Sequence, residues 1–211
     1  MIVYCADVGS IPRGRFGWAR GDSDAPESGL QGGTDIRKLV QSIADDLDQG
    51  RKVTLGFECP LFVPLRDEPK ALGCARTGEG RHPWSAGAGA ASLTTGLVQV
   101  VWVLLRVRET LSTPPEALLD WSAFDAAETG LFLWEAFVVG ATKDQGPVEA
   151  RHRRDAEIAV HAFLAALPDP SDKNAIHHDG PIFSLVGAAL LRAGWDGNPS
   201  RLSEPCIVIR G

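Results

Sequence analysis

The 211-residue sequence lacks long uncharged apolar segments, paired cysteines and a surplus of basic residues. No stretch approaches the roughly 20 apolar residues of a transmembrane helix, and no secretory leader pattern is present, so we expect a cytoplasmic protein without membrane contact. The four cysteines form no Cys-x-x-Cys pair, which argues against structural zinc. The formal net charge of -6 argues against extensive electrostatic wrapping of nucleic acid. Any nucleic-acid contact is therefore expected to be local.

Two common catalytic motifs are also missing. Gly87-Ala88-Gly89 is not followed by the Lys-Ser/Thr pair of a phosphate-binding loop. Neither Ser10 nor Ser92 belongs to a recognisable Ser-His-Asp arrangement. The chain length suits one domain with a substantial core.

The first apolar run ends in a carboxylate. Residues 2–6 are β-branched, aromatic or small and stop at Asp7, and a second run resumes at residues 14–20 after a loop containing Pro and Gly. This pattern predicts two paired strands with Asp7 at the end of the first. A rigid strand end can hold a carboxylate for chemistry or for a cation. A solvated turn aspartate is the alternative interpretation.

The next elements predict an α/β fold. Apolar residues at helical spacing indicate a helix over residues 36–47, which Asp35 or the preceding Thr can cap. Residues 52–57 are typical of a central strand, and the crossover that precedes them is long enough for parallel pairing with the first strand. Parallel strands end at the same edge of a sheet, so we expect Glu58 to lie close to Asp7.

The rest of the chain continues this alternation. The patterns predict helices at 90–111, 148–167 and 183–193, a short helix or loop at 115–130, and strands at 131–134 and 206–209. The strand at 131–134 ends in Glu135, and Asp155 lies near the start of the following helix, where it can project towards the open end of the sheet. Residues 60–89 are predicted to be a long functional loop. The expected fold is a single α/β domain with a mixed sheet, an antiparallel hairpin plus parallel strands, flanked by helices.

Four acids thus fall at three strand ends and on one helix: Asp7, Glu58, Glu135 and Asp155. Gathered carboxylates repel one another and raise one another's pKa values, so the cluster is destabilising without a cation. Oxygen ligands on rigid elements suit Mg²⁺ or Mn²⁺. Two such ions about 4 Å apart can activate water and stabilise the leaving oxygen in phosphodiester hydrolysis. The sequence therefore predicts a two-metal catalytic site built from these four carboxylates.

This order of elements and acids resembles the ribonuclease H-like superfamily over about residues 1–167, which leaves residues 168–211 as an elaboration of the same domain. Asp7 matches the first-strand aspartate of that superfamily, and Glu58 matches the acid after its fourth strand. Asp155 matches the acid on the last core helix, and Glu135 the extra strand-end acid of some branches.

A closer resemblance involves Glu58-Cys59-Pro60-Leu61 with the basic loop behind it, Glu135, and Arg154-Asp155-Ala156. This set is similar to a domain-of-unknown-function family of predicted ribonuclease H-like nucleases. The second acid of that family is commonly an aspartate followed by proline, so Glu58 is a conservative departure. The resemblance implies a Mg²⁺- or Mn²⁺-dependent nuclease acting on DNA or RNA.

Basic residues near the four acids are candidates for substrate binding. Arg151 and Arg154 lie at the start of a predicted helix, where the macrodipole disfavours cations, and this placement suggests a nearby anion. A solvated basic face paired with neighbouring acids is the alternative. Arg76 and Arg81 are the loop arginines that we expect to contact nucleic acid. A role for His152 in metal ligation or proton transfer is the alternative to the interpretation that we prefer, an isolated surface histidine.

Two other functions stay open. The Asp7–Ser10 segment resembles the first phosphate loop of the actin and sugar-kinase superfamily, which would indicate a nucleotide phosphate-handling enzyme. That superfamily needs two such domains, and 211 residues hold one. A non-catalytic binding or interaction protein with the same fold would have partly solvated acids and no tightly bound cation.

Overall fold

A mixed sheet forms the centre of the protein in the computed structural model, which describes residues 1–80, 90–138 and 147–211. Its strands are β1 (Ile2–Asp7), β2 (Gly17–Asp22), β3 (Gln31–Gly33), β4 (Lys52–Phe57), β6 (Ala117–Leu118), β7 (Gly130–Phe137) and β9 (Val208–Arg210). A separate antiparallel pair consists of β5 (Phe62–Pro64) and β8 (Ile182–Ser184). The helices are α1 (Ile36–Asp48), α2 (Ala90–Thr110), α3 (Trp121–Ala126), α4 (Val148–Ala165) and α5 (Leu185–Ala193). Among the helices of the described ranges, none has the length and apolarity needed to span a membrane.

The strand order of the central sheet is β3-β2-β1-β4-β7-β6, and β9 also pairs with β7. β1 is antiparallel to β2 and parallel to β4, and β7 is parallel to β4, β6 and β9. β6 pairs with the beginning of β7 and β9 pairs with its end. The predicted α/β architecture, with an antiparallel hairpin joined to parallel strands and flanked by helices, is confirmed.

The two faces of the sheet carry separate hydrophobic cores because side chains alternate along each strand. On β1, Val3 and Cys5 belong to the core beneath α4, whereas Tyr4 and Ala6 belong to the core that contains residues of α1, α2 and α5. A side chain's position along a strand therefore decides which set of helices it meets.

Two glycines allow helices to approach the sheet edge closely. A methyl group at Gly17 of β2 would lie 2.3 Å from the Arg153 backbone nitrogen of α4. A methyl group at Gly96 of α2 would lie 2.6 Å from Cys59 Sγ and 3.1 Å from Val8 Cγ2. These contacts hold α4 and α2 against the segments that carry Asp7 and Glu58.

The segment from residue 60 to 89 contains more structure than its sequence indicates. β5 pairs with β8 there, and Pro69–Ala71 forms a 3₁₀ turn. A three-residue strand has no periodicity of its own, and its partner lies far along the chain, so local patterns do not reveal it. Residues 81–89 lie outside the described residues.

A polar network ties β1 and β2 to α1. Tyr4 donates its hydroxyl proton to Asp46 Oδ2 at 2.6 Å, and Arg20 donates to both Asp46 carboxylate oxygens at 2.9 and 3.0 Å. Burial raises the pKa of Asp46, but the hydrogen bonds from Arg20 and Tyr4 outweigh burial and hold that pKa below its usual value. The ionised form of Asp46 therefore stabilises the fold.

We expect Asp46→Asn to lower the free energy of unfolding by about 1–3 kcal/mol at pH 7, because charged hydrogen bonds to Arg20 and Tyr4 are lost. The contribution of Asp46 is complete above its ordinary pKa of about 3.9 and disappears as the pH falls through the lower folded value. The difference between wild type and variant should therefore shrink below about pH 4 in urea unfolding. Asp45→Asn, on the exposed side of α1, is the matched control. An Asp46→Asn deficit that persists undiminished at acidic pH would contradict this role.

Candidate metal centre

Three carboxylates meet at the end of the sheet where β1 and β4 terminate. Asp7 is the last residue of β1, Glu58 directly follows β4, and Asp155 lies on α4. One carboxylate oxygen from each of these residues lies within 4.8 Å of the others. The structure thus brings together three of the four acids that the sequence singles out.

Strand alternation explains why these side chains share one face. Asp7 has the same parity as Val3 and Cys5 on β1, so it faces α4. Parallel pairing continues one residue beyond β4, since the Glu58 backbone N–H donates to the Ala6 carbonyl at 2.9 Å. Glu58 therefore also points to the α4 face. The close packing of α4 against β2 completes the group by placing Asp155 over the same edge.

The electrostatics of the group are unfavourable in the absence of a cation. Burial raises the pKa of Asp7 to about 6, against the lowering effect of its hydrogen bond with His152. Burial, followed by the charges of Asp7 and Asp155, raises the pKa of Glu58 well above its usual value. Burial also raises the pKa of Asp155, although nearby His152 and two arginines oppose that shift. Each ionised carboxylate thus lacks enough compensating charge.

Glu58 Oε2 is the atom of this group whose hydrogen-bonding capacity the described residues leave unused. This oxygen is buried and accepts no hydrogen bond from any described residue. A buried acceptor without a partner costs free energy, and such atoms in native proteins call for an explanation. An all-oxygen donor set with an unpartnered buried oxygen fits a hard divalent cation such as Mg²⁺ or Mn²⁺.

His152 belongs to this site, contrary to the sequence interpretation as an isolated surface residue. His152 Nδ1 lies 2.5 Å from Asp7 Oδ2, and this hydrogen bond is the main cause that raises the pKa of His152. His152 and Asp155 are three residues apart on α4, so they lie on the same side of the helix. Its position three residues before Asp155, a proposed ligand, is the one feature of the sequence that could have indicated His152, but that spacing alone is not specific.

The structure places Glu135 elsewhere, and this corrects its assignment to the metal site. Glu135 is fully buried, and Arg76 binds its carboxylate through two nitrogens, with Nη1 at 2.8 Å from Oε2 and Nη2 at 2.5 Å from Oε1. The Leu61 backbone N–H also donates to Glu135 Oε2, at 2.9 Å. Glu135 is therefore a structural carboxylate whose charge the guanidinium neutralises.

The register of β7 explains why Glu135 lies away from the other three acids. β7 does not end at Glu135 but continues to Phe137, with β9 paired alongside. Glu135 pairs in register with Phe57, one residue before Glu58, so it points to the opposite face of the sheet from Glu58. The uninterrupted apolar run before Glu135 contains no alternation from which its direction could be predicted.

The four arginines predicted to bind substrate have different surroundings. Arg76 is buried, and its guanidinium contacts Glu135, the Glu79 carboxylate and the Phe62 ring, so it is not placed to contact a substrate. Arg81 lies outside the described residues. Arg151 and Arg154 are exposed on α4, and their positive charges help to lower the pKa of Asp155. These two arginines therefore lie on the same helix turns as the candidate metal centre.

Comparison of the chain with protein-family models, with curated proteins and with solved structures gave no match. The geometry and chemistry of the site therefore carry the functional argument.

We expect neutralising substitutions at the two buried glutamates to have opposite effects. Glu135→Gln removes one of the two buried carboxylates that bind Arg76, with Glu79 remaining as the other, and the loss of two charge-assisted hydrogen bonds should lower the free energy of unfolding by about 1.5–3 kcal/mol. Glu58→Gln removes an acid from a repelling group and should leave the unfolding free energy in EDTA unchanged or raised. Urea unfolding of both variants measures the difference. Equal losses of stability would contradict the distinction between a paired and an unpaired carboxylate.

The position of α4 should depend on Gly17. Because Gly17→Ala introduces a methyl group into backbone atoms of α4, we expect a loss of about 1–3 kcal/mol in urea unfolding. The same change should weaken cation binding by displacing Asp155 from Asp7. Gly197→Ala, where a methyl group meets nothing within 4 Å, is the control. Unaltered stability and cation response in Gly17→Ala would show that α4 can move without disturbing the site.

Proposed function

We propose that this protein is a metal-dependent phosphodiesterase, a nuclease of the ribonuclease H-like type that acts on DNA or RNA. The observation that carries this proposal is the meeting of Asp7, Glu58 and Asp155 around the unpartnered Glu58 Oε2. The resemblance in order of elements and acids supports the same function, with three metal-binding carboxylates in place of the four expected from sequence.

The spacing of the three acids suits at least one shared ion. Carboxylate oxygens around one Mg²⁺, each at about 2.1 Å, lie up to about 4.2 Å apart. Because the candidate ligand atoms lie within 4.8 Å of one another, small side-chain rotations are enough to close the shell. A second ion would need further oxygen ligands, and the phosphate of a nucleic-acid substrate supplies that kind of ligand.

A divalent cation bound by this trio would lower the pKa of a coordinated water and stabilise negative charge on a phosphate. The chain itself supplies positioning and charge. Asp7 and Glu58 are fixed by paired strands, so their oxygens need little reorganisation. The hydrogen bond between His152 Nδ1 and Asp7 Oδ2 holds the Asp7 carboxylate in place beside the other acids. Arg151 and Arg154 are exposed on α4 next to Asp155, where they can orient a phosphate.

Cation binding is the first test of the proposal. Mn²⁺ or Mg²⁺ at about 100 times its dissociation constant should stabilise the native state by about 2.7 kcal/mol, which raises the melting temperature by about 5–10 °C. Asp7→Asn, Glu58→Gln and Asp155→Asn should each lose most of this rise and also any cleavage of labelled single- and double-stranded DNA and RNA. Thermal denaturation in a cation titration, together with a gel-based cleavage assay, checks both outcomes.

Glu157→Gln is the matched control for these substitutions. Glu157 is another carboxylate on α4, and it pairs with Arg153 rather than with the acidic trio. Its neutralisation should leave the cation response intact. If the wild type shows no cation-dependent rise, the metal-dependent proposal fails, and a non-catalytic binding protein becomes the better interpretation. A rise without cleavage of any of the four nucleic acids would refute the nuclease assignment.

A further inference from the structure

A cavity of about 810 Å³ lies between the loop after β1, the beginning of α1 and the middle of α2. Its size falls within the usual range for small-molecule sites, about 300–1,000 Å³. Ile11, Ile36 and Val98 contribute apolar walls, and the indole of Trp102 adds an aromatic surface. The cavity is separate from the three carboxylates, and none of them lines it.

The cavity nevertheless adjoins the candidate metal centre. Its wall includes Gly9, two residues after Asp7. α2 forms the opposite wall, and its Gly96 packs directly on Val8 and Cys59, the neighbours in sequence of Asp7 and Glu58. A ligand bound in the cavity would have to extend past the loop after β1 and around the edge of the sheet to meet the acids, which face α4.

Gln99, which lines the cavity, has a side-chain oxygen without a hydrogen-bond donor in the described ranges. Its Nε2 donates to the Gly9 carbonyl at 2.6 Å, which fixes the orientation of the amide and leaves Oε1 as an acceptor. Gln99 is 92% buried, since its exposed fraction is 8%, and nothing in the described part of the chain donates to Oε1. A ligand N–H that reached Oε1, which is enclosed in the free protein, would remove the cost of leaving this oxygen unpaired.

We infer that this cavity binds an unpaired nucleobase of the substrate next to the scissile phosphate. A nucleobase combines a flat face, which stacks on an aromatic ring, with N–H donors at its edge, which match Gln99 Oε1. An aliphatic ligand would leave Oε1 unsatisfied. Exposed Arg37 at the rim offers positive charge to a sugar-phosphate backbone. This inference rests on the proposed nuclease function and narrows its substrate to nucleic acid with at least one unpaired base.

Binding without metal separates this inference from catalysis. The probe is a fluorescein-labelled single-stranded decamer containing all four bases, compared by anisotropy in EDTA with a decamer of the same length made of abasic residues. Stacking and hydrogen bonding of one base should make the intact strand bind at least about tenfold more tightly. Equal affinity for the intact and abasic strands would overturn the inference.

Two substitutions at Gln99 test the acceptor itself. Gln99→Glu and Gln99→Met both lose the Nε2 hydrogen bond to the Gly9 carbonyl, and only Gln99→Glu keeps an oxygen acceptor, so a difference between the two variants reports on the acceptor alone. We expect Gln99→Glu to retain the preference for the intact strand and Gln99→Met to reduce it at least fivefold, on the order of one hydrogen bond. Urea unfolding verifies that both variants fold. A Gln99→Met protein with undiminished preference would refute the role of Oε1.

A second pair of variants tests whether the base binds in this cavity. Val98 lines the cavity and is 67% exposed, and Leu72 is 62% exposed and lies outside it. Val98→Asp should weaken the base-dependent part of binding more than Leu72→Asp does, because both add the same charge but only Val98 borders the cavity. Equal effects would place base binding elsewhere.

Binding of free nucleotides shows whether the cavity takes a mononucleotide or a base within a nucleic-acid strand. If the four nucleoside 5′-monophosphates bind as tightly as the decamer and respond equally to Gln99→Met, the cavity takes mononucleotides. If the decamer alone binds, the cavity takes a base within a strand. Failure of the cation titration together with retained base preference would refute the nuclease proposal and leave base binding in place. Cation-dependent cleavage without base preference would refute base binding in this cavity and leave the nuclease proposal in place.

Discussion

The register of the parallel strands β1, β4 and β7 is the constraint on which the site depends. Ala6 of β1 pairs with Phe57 of β4, which in turn pairs with Glu135 of β7. A shift of one residue between any two of these strands would turn a carboxylate to the other face of the sheet. The present register directs Asp7 and Glu58 towards α4 and Glu135 towards the opposite core.

The two faces deal with buried negative charge in different ways. On one face the Arg76 guanidinium meets Glu135 with two parallel hydrogen bonds and also pairs with Glu79, so both buried carboxylates have a partner within the chain. On the other face three carboxylates share one histidine, and Glu58 Oε2 has no donor among the residues described. The first arrangement pairs its carboxylates within the chain, and the second leaves a group of acids that could hold a metal ion.

Local patterns predicted the hairpin, the helices and the parallel strand β4 because each follows from spacing and capping within a short window, as Asp35 shows by capping α1. Asp7, Glu58 and Asp155 came together because parallel strand ends share an edge. The role of Glu135 and the burial of Arg76 could not be predicted, since they depend on strand register and on contacts between distant segments. His152 was missed because a single histidine has no pattern of its own.

The packing of α4 on β1 and β2 has a consequence for the order in which the chain is made. Asp7 and Glu58 are synthesised before Asp155, which follows β1 to β4, β6 and β7 and precedes β9 of the central sheet. The acidic trio therefore stays incomplete on a nascent chain until α4 has been synthesised and has folded back onto the first hairpin. Any activity of this centre therefore has to wait for the synthesis and docking of α4.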